Sequence, residues 1–238
     1  MKNFDQILVC GDIHGNMNII TDFLKKMDLK NCAVIVAGDF GIGFEYWMKE
    51  VKKLKYFDEL LSNNNNTIYA VRGNHDDPSY FNGKYDTDFI KLVPDYTVLE
   101  LNQWNILCVG GATSIDRMNR KKYITGKGRD WWVNETFYFD ENKVKNIKDI
   151  DFVVTHTAPH FCYPFVKNGL DYWINRDDLL QDDVDTERLN VTKLYEELKK
   201  NNNIAKWYYG HFHMSNILPY DKTLFIGLNI NEFKEIKL

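Results

Sequence analysis

The stretch Gln6-Ile7-Leu8-Val9-Cys10-Gly11-Asp12-Ile13-His14-Gly15 sets an apolar run directly against two good metal ligands bracketed by glycines. Such a run, without polar alternation, reads as a strand buried on both faces, as in a parallel sheet. Asp12 and His14 are two residues apart, so an extended segment presents both on one side. Gly11 and Gly15 allow tight turns and a close backbone approach. The arrangement then recurs. Residues 33–37 run into Gly38-Asp39, residues 67–71 into Gly73-Asn74-His75-Asp76, residues 152–154 into His156, and residues 206–209 into Gly210-His211-Phe212-His213. Five of the six histidines of the chain lie in these segments. Histidine nitrogens with Asp and Asn oxygens suit divalent cations. Loops at the carboxyl ends of strands are where α/β sheets collect their ligand sites. Delivered to one sheet edge, these residues point to a two-metal hydrolase.

Working outward, Ile19, Ile20, Phe23 and Leu24 are spaced for one buried stripe and predict a helix over 17–26. A longer helix is expected over 45–61, ending at the polar turn Asn63 to Asn66. The first half is thus βαβαβ, which argues for a parallel or mixed sheet covered by helices. Residues 97–101 and 105–109 read as an antiparallel pair, 141–147 as a helix, 191–200 as an amphipathic helix, and 216–218 and 223–228 as closing strands. Residues 111–135 and 158–190 read as insertions in one domain of 1–238. The second is a long irregular stretch, expected to be functional or mobile.

Composition narrows the class. Aliphatic, aromatic and cysteine residues make up 44% and charged residues 27% of 238 positions, an ordinary globular balance with room for a sizeable core. A net charge of −4 gives no global footprint for a polyanion, so nucleic acid or a nucleotide as partner needs a local basic patch. No apolar run approaches the roughly 20 residues of a membrane span, and the N-terminus reads as a strand rather than a signal peptide. The four cysteines show no CxxC spacing and are expected as free, buried thiols of a cytoplasmic protein. Nothing in the sequence speaks to oligomeric state.

The ordered series Asp-x-His, Gly-Asp, Gly-Asn-His-Asp, His and Gly-His-x-His, spanning residues 12–213, resembles the calcineurin-like metallophosphoesterase superfamily. The resemblance implies an α/β fold, a four-layer αββα sandwich of two mixed β-sheets flanked by helices with the metals at the upper rim. It implies Asp12, His14, Asp39 and His213 around a first divalent ion, and Asp39 as bridge, Asn74, His156 and His211 around a second. Mn2+ or iron is the expectation by family habit, and ligand chemistry alone does not set these apart from Zn2+, Ni2+ or Mg2+. It further implies a metal-bridging hydroxide attacking a phosphate ester, with His75 off the metals as acid and phosphate stabiliser. Ions about 3.5–4 Å apart clamp both the attacking and the leaving oxygens. His75 then matters most for alkoxide leaving groups, which need a proton. Whether Asp76 or another carboxylate orients His75 is left open at this stage.

Several residues carry competing readings. Arg72 reads as a structural ion pair rather than a phosphate clamp. His160 reads first as a loop residue, with substrate contact as its second reading. Arg117, Arg120, Lys121, Lys122, Lys127 and Arg129 near Trp131 and Trp132 form either a substrate-facing lip or, as favoured, a solvated loop over packed tryptophans. The acidic run from Asp177 to Glu187 reads as a solvated face. Asp39 is followed by Phe40-Gly41-Ile42-Gly43, not the Val-Asp-Arg-Gly of protein serine/threonine phosphatases, so the arginine and acid of that motif are missing. A broad-specificity phosphodiesterase or phosphatase is therefore expected. A nuclease or cyclic-nucleotide phosphodiesterase is the alternative, and a non-catalytic scaffold on the same fold is a further one, opposed by the complete ligand set.

Overall fold

The computed structural model describes residues 2–121, 130–165 and 169–237. β1 (Gln6–Cys10), β2 (Cys32–Val36) and β3 (Thr67–Ala70) pair in parallel, joined by α1 (Asn18–Lys26) and α2 (Trp47–Ser62). Strands that return in parallel need a crossover, and here each crossover is a helix. β4 (Ile90–Leu92) adds to β3 in the same direction. A second sheet opens with the antiparallel pair β5 (Thr97–Leu101) and β6 (Trp104–Val109). The chain passes through α3 (Arg117–Arg120) and α4 (Glu141–Val144) to β7 (Phe152–Thr155), then through α5 (Asp171–Ile174) and α6 (Leu180–Leu198) to β8 (Lys206–Tyr209). β9 (Asn216–Tyr220), β10 (Thr223–Gly227) and β11 (Phe233–Glu235) follow. The strand orders are β11-β1-β2-β3-β4 and β5-β6-β7-β8-β10-β9.

Strand alternation sorts the apolar side chains into three cores. Leu8, Cys10, Val34, Val36, Ile68 and Ala70 face α1 and α2, meeting Ile20, Leu24, Leu54 and Phe57. The intervening residues Ile7, Val9, Ile35, Tyr69 and Val71 face the second sheet, against Ile106, Cys108, Phe152, Val154 and Tyr208. Leu107, Val109, Val153, Trp207 and Tyr209 face outward onto Val191, Leu194, Tyr195 and Leu198 of α6. Both sheets are mixed and each carries helices on its outer face, so the expected four-layer sandwich is the one observed. The central strands read as unbroken apolar runs because both of their faces are buried. All four cysteines are free and buried, and among the described residues no helix is long and apolar enough to cross a membrane.

The structure corrects the sequence reading in three places. α6 begins at Leu180, not near 191, so much of the stretch expected to be irregular is helix. Its buried stripe is Leu180, Glu187, Val191, Leu194, Tyr195 and Leu198, and a carboxylate at a core position hides the period from any count of apolar residues. Asp182 and Asp183 lie in its first turn, where acids complement the helix dipole. Secondly, the acidic run is not simply a solvated face. Asp177 pairs with Arg117 in a buried contact, and Glu187 is buried and accepts from Thr113 Oγ1 at 2.7 Å. Thirdly, Arg117 and Arg120 are buried rather than solvated, Trp132 is packed inside as expected, and Lys122, Lys127 and Arg129 lie outside the described residues. The short strands β4 and β11 have no counterpart in the sequence reading.

Arg117 also reaches Asp183 at 2.6 Å, so one guanidinium joins α3 to the start of α6. Breaking a buried pair leaves an uncompensated charge. Arg117→Ala is therefore expected to lower unfolding free energy by about 3 kcal/mol, the low end for such pairs because Asp183 is half-exposed. Urea unfolding measures this, and an unchanged midpoint would show the pair to be incidental.

Candidate metal centre

Five strand ends from both sheets meet at one rim. Asp12 and His14 follow β1, Asp39 follows β2, Asn74 and His75 follow β3, His156 follows β7, and His211 and His213 follow β8. Asp12, His14, Asp39 and His213 each offer a ligand atom, and these atoms all lie within 4.8 Å of one another. His213 Nε2 is 3.0 Å from Asp12 Oδ2 and 3.2 Å from His14 Nε2, while His14 Nδ1 is 3.6 Å from Asp39 Oδ2. Four of the seven sequence-predicted ligands, His14, Asp39, His211 and His213, hold left-handed backbone with φ of 45°, 50°, 66° and 50°. Non-glycine residues rarely adopt this region, His, Asp and Asn being the most tolerant of it, and ordinary turns of this chain at Asp28, Asn31 and Asn65 use it too.

A second cluster adjoins the first through Asp39. His156 Nδ1 donates to the Ala37 carbonyl at 2.8 Å, which leaves Nε2 aimed at Asp39 Oδ1 at 3.1 Å and Asn74 Oδ1 at 3.0 Å. The Asn74 amide is set by its Nδ2, which donates to Ser114 Oγ at 3.0 Å, so its oxygen is the atom that faces inward. An imidazole nitrogen and two oxygens thus converge with their lone pairs toward one another. The ring of His211 adjoins that of His156, with centroids 4.9 Å apart. Such a convergence is satisfied by a proton or by a cation, and nitrogen with oxygen donors at this spacing fits a divalent transition-metal ion. The family model for calcineurin-like phosphoesterases matches residues 6–215, which include every one of these side chains.

The chain belongs to the calcineurin-like phosphoesterase family. The crystal structure of TT1561 of Thermus thermophilus is 13% identical, with 94% of this chain and 89% of that one covered at a TM-score of 0.57, and shows the shared fold. A conserved uncharacterized protein of Streptococcus pneumoniae TIGR4, described as a predicted phosphoesterase, is 16% identical over 94% of this chain and 72% of its own, at a TM-score of 0.34. The phosphopantetheinyl hydrolase of Mycobacterium tuberculosis is 14% identical over 95% and 90%, at 0.42. Scores this low carry nothing further from either protein. No curated protein matches the chain.

Local structure explains how this member of the family holds these side chains in place. Asp76 does not orient His75. Its carboxylate accepts from the backbone N–H groups of Phe40, Gly41, Ile42 and Gly73 at 3.1, 2.6, 3.1 and 2.7 Å, fixing the loops after β2 and β3 together. A Cβ on Gly73 would stand 2.1 Å from Asp39 Oδ1, and one on Gly210 2.2 Å from Asp12 Oδ1, so only glycine lets these carboxylates tuck against the next loop. Asp39 Oδ1 accepts from His75 N at 2.7 Å, and Asp12 Oδ1 from His211 N at 3.0 Å. The His75 ring lies edge-on to His14 with centroids 5.1 Å apart and stacks toward Phe44. Sequence reasoning missed Ser114 and the Ala37 carbonyl. A serine and a main-chain oxygen leave no motif to find.

The arginines named from sequence are placed otherwise than at the reacting centre. Arg117 is held by Asp177 and Asp183. Arg120 donates to Ser114 Oγ and to the Asn74 carbonyl, supporting a ligand from behind. Arg72 forms the expected ion pair with Asp95 at 2.9 Å. His160 does reach the cavity that opens beside Asp39, Asn74, His75 and His211, and it is tied to Thr192 Oγ1 at 2.9 Å.

Burial opposes charge throughout the site, and the carboxylates answer it. Against burial, Asp39 and Asp12 with the Ala37 carbonyl push His156 up to about 10. Asp39, which burial alone would raise, is held well below the usual carboxylate range by His156 and His75. Burial pushes His211 far down, aided by His156, and lowers His75 against the pull of Asp39. The ion-free protein therefore pairs an imidazolium with a carboxylate where the loaded one would hold a cation. His156 contributes stability in full below its ordinary value of 6.5 and loses it as pH rises toward about 10. Asp39 contributes above the ordinary carboxylate range and loses it as pH falls. In EDTA, thermal unfolding is expected to show Tm falling as pH rises from 6.5 to about 10, and His156→Gln to flatten that fall. The same slope in both proteins would remove the pair from this role.

Proposed function

We propose that the protein is a metal-dependent hydrolase of phosphate esters, a phosphodiesterase or phosphatase. In this reading Asp12, His14, Asp39 and His213 hold one divalent ion, and Asp39, Asn74, His156 and His211 hold the other. The observation that carries it is the convergence of His156 Nε2 with Asp39 Oδ1 and Asn74 Oδ1, continuous through Asp39 with the Asp12–His14–His213 cluster. Two such ions would supply Lewis-acid polarisation of the phosphoryl oxygens and a water acidic enough to attack near neutral pH. Mn2+ or iron is our choice.

The chain's own groups do the rest. Asp39 is buried and anchored by the His75 amide, so the part of the site it forms keeps its shape when a substrate arrives. As the water oxygen bonds to phosphorus it gives up a proton to solvent, the bond from phosphorus to the leaving oxygen breaks, and His75 gives that oxygen its proton. Burial lowers His75, while an anionic phosphoryl group beside it favours the protonated ring. The missing arginine after Asp39 leaves the protein-phosphatase reading without support. Arg117 and Arg120, committed to Asp177, Asp183 and Ser114, give none to a nuclease reading. Residues 1–238 act as one domain in this proposal, and the four buried free cysteines support a cytoplasmic location.

Hydrolysis of bis(4-nitrophenyl) phosphate and 4-nitrophenyl phosphate with added Mn2+ tests the reading. Asp39→Ala is expected to abolish turnover and to drop bound Mn2+ from two ions to fewer than one by elemental analysis. His75→Asn should cost about 100- to 10,000-fold on alkyl esters, as loss of a general acid does, and much less on nitrophenyl esters. Turnover surviving Asp39→Ala would show the proposed centre to be wrong, and fewer than one ion bound by the unaltered protein would favour the scaffold reading instead.

A further inference from the structure

Two arginines approach the rim, and the chain uses them differently. The N–H groups of Arg188 on α6 point to the carbonyls of Ala158, Pro159, His160, Cys162 and Pro164, and its guanidinium lies over the Phe212 ring. That side chain fastens a loop to a helix. Arg120, at the end of α3, touches a ligand of the centre instead. It donates to the Asn74 carbonyl at 3.3 Å and to Ser114 Oγ, the same oxygen that accepts from Asn74 Nδ2 at 3.0 Å. Arg120 is only 8% exposed, and Asp116 stands 3.8 Å away, beyond hydrogen-bond reach. Removing a guanidinium from water is costly unless strong partners compensate it. Both hydrogen bonds described for Arg120 nevertheless end on uncharged oxygens, one on Asn74 and the other on the group that holds its amide.

The reason lies in what a hydroxyl can do. A serine oxygen has two lone pairs and one proton, and an arginine only donates, so Arg120 occupies one of the lone pairs of Ser114. The proton goes to the carboxylate of Glu135, which also accepts from the Ser114 amide at 2.8 Å. A single lone pair remains, and the Asn74 amide can meet it only with Nδ2–H. Turned over, the amide would set Oδ1 against that lone pair and offer His156 and Asp39 a nitrogen with no free pair for a cation. We infer that Arg120 and Ser114 are positioning residues that select the oxygen face of Asn74, and that without them the ion shared by Asp39, Asn74, His156 and His211 is lost before its neighbour. The inference rests on the phosphate-ester hydrolase reading and deepens it by naming what orients one of its ligands. Groups that orient a ligand from behind typically carry about 10- to 100-fold in metal affinity.

Titration of the ion-free protein with Mn2+, followed by calorimetry, tests this without turnover. The unaltered protein should bind two ions. Arg120→Met, which keeps a long side chain and loses the donors, should weaken one of them about 10- to 100-fold and leave the other as it was. Asn74→Asp separates orientation from packing, because a carboxylate presents an oxygen whichever way it turns. In that background Arg120→Met should cost far less, and an equal loss in both backgrounds would overturn the inference while leaving the hydrolase reading standing. So would two ions bound by Arg120→Met as tightly as by the unaltered protein. Ser114→Ala, which removes only a hydroxyl, carries the same comparison should Arg120→Met fail to fold. Fewer than one ion bound by the unaltered protein would sink the hydrolase reading. The orientation is then read in the ion-free protein by NMR. There the Asn74 Nδ2 protons, identified by their loss in Asn74→Asp, should exchange with water faster in Ser114→Ala, and an unchanged rate overturns the inference.

Discussion

A buried carboxylate between two sheets governs this molecule. Asp39 stands after the central strand of the first sheet and faces His156 from the second, with His14 from β1 within 3.6 Å. A carboxylate removed from water costs several kilocalories unless a positive partner and hydrogen bonds compensate it. The His75 amide supplies one bond, and the remaining demand falls on whatever lies between Asp39, His156 and Asn74. That demand couples the sheets, since β2 and β3 belong to one and β7 and β8 to the other. The sandwich core brings the strand ends together, and the charge they must share decides what can occupy the rim.

The loops around Asp39 are shaped to this end. Asp76 gathers four N–H groups and so freezes the turns that present Asp39 and Asn74. Left-handed backbone at His14, Asp39, His211 and His213 shapes the turns that carry these side chains, as it shapes other turns of the chain such as those at Asp28 and Asn65. Ser114 fixes the Asn74 amide and is itself held by Arg120 and by Glu135, which accepts from its amide at 2.8 Å. Segment 111–135 thus reaches the centre through a polar relay rather than through its apolar residues.

Much of this was legible in the sequence because the central strands are buried on both faces and end abruptly in glycine and metal ligands. The order of strands and motifs follows from that pattern, as does the two-sheet fold through the family resemblance. The chain between 158 and 190 was not legible, and the reason is physical. Glu187 occupies a core position of α6, sheltered by Thr113, and Asp177 is hidden under Arg117, so charge no longer marked the surface there. Short strands such as β4 and β11 take their conformation from the neighbour they pair with, leaving little trace in their own residues. Ser114 and the Ala37 carbonyl became visible only once the chain had brought distant segments together.

Arg188 has a consequence for how such a protein can evolve. Through one side chain it laces five carbonyls of residues 158–164 to α6. The cavity wall built by that loop is therefore carried by a helix that contributes none of the clustered Asp and His side chains at the rim. Substitutions along α6 can re-tilt or re-line the wall while the strand ends stay where the sheets put them. In the proposed reading, selectivity and reactivity can then vary separately, and a lineage can explore new esters while the strand ends keep their place.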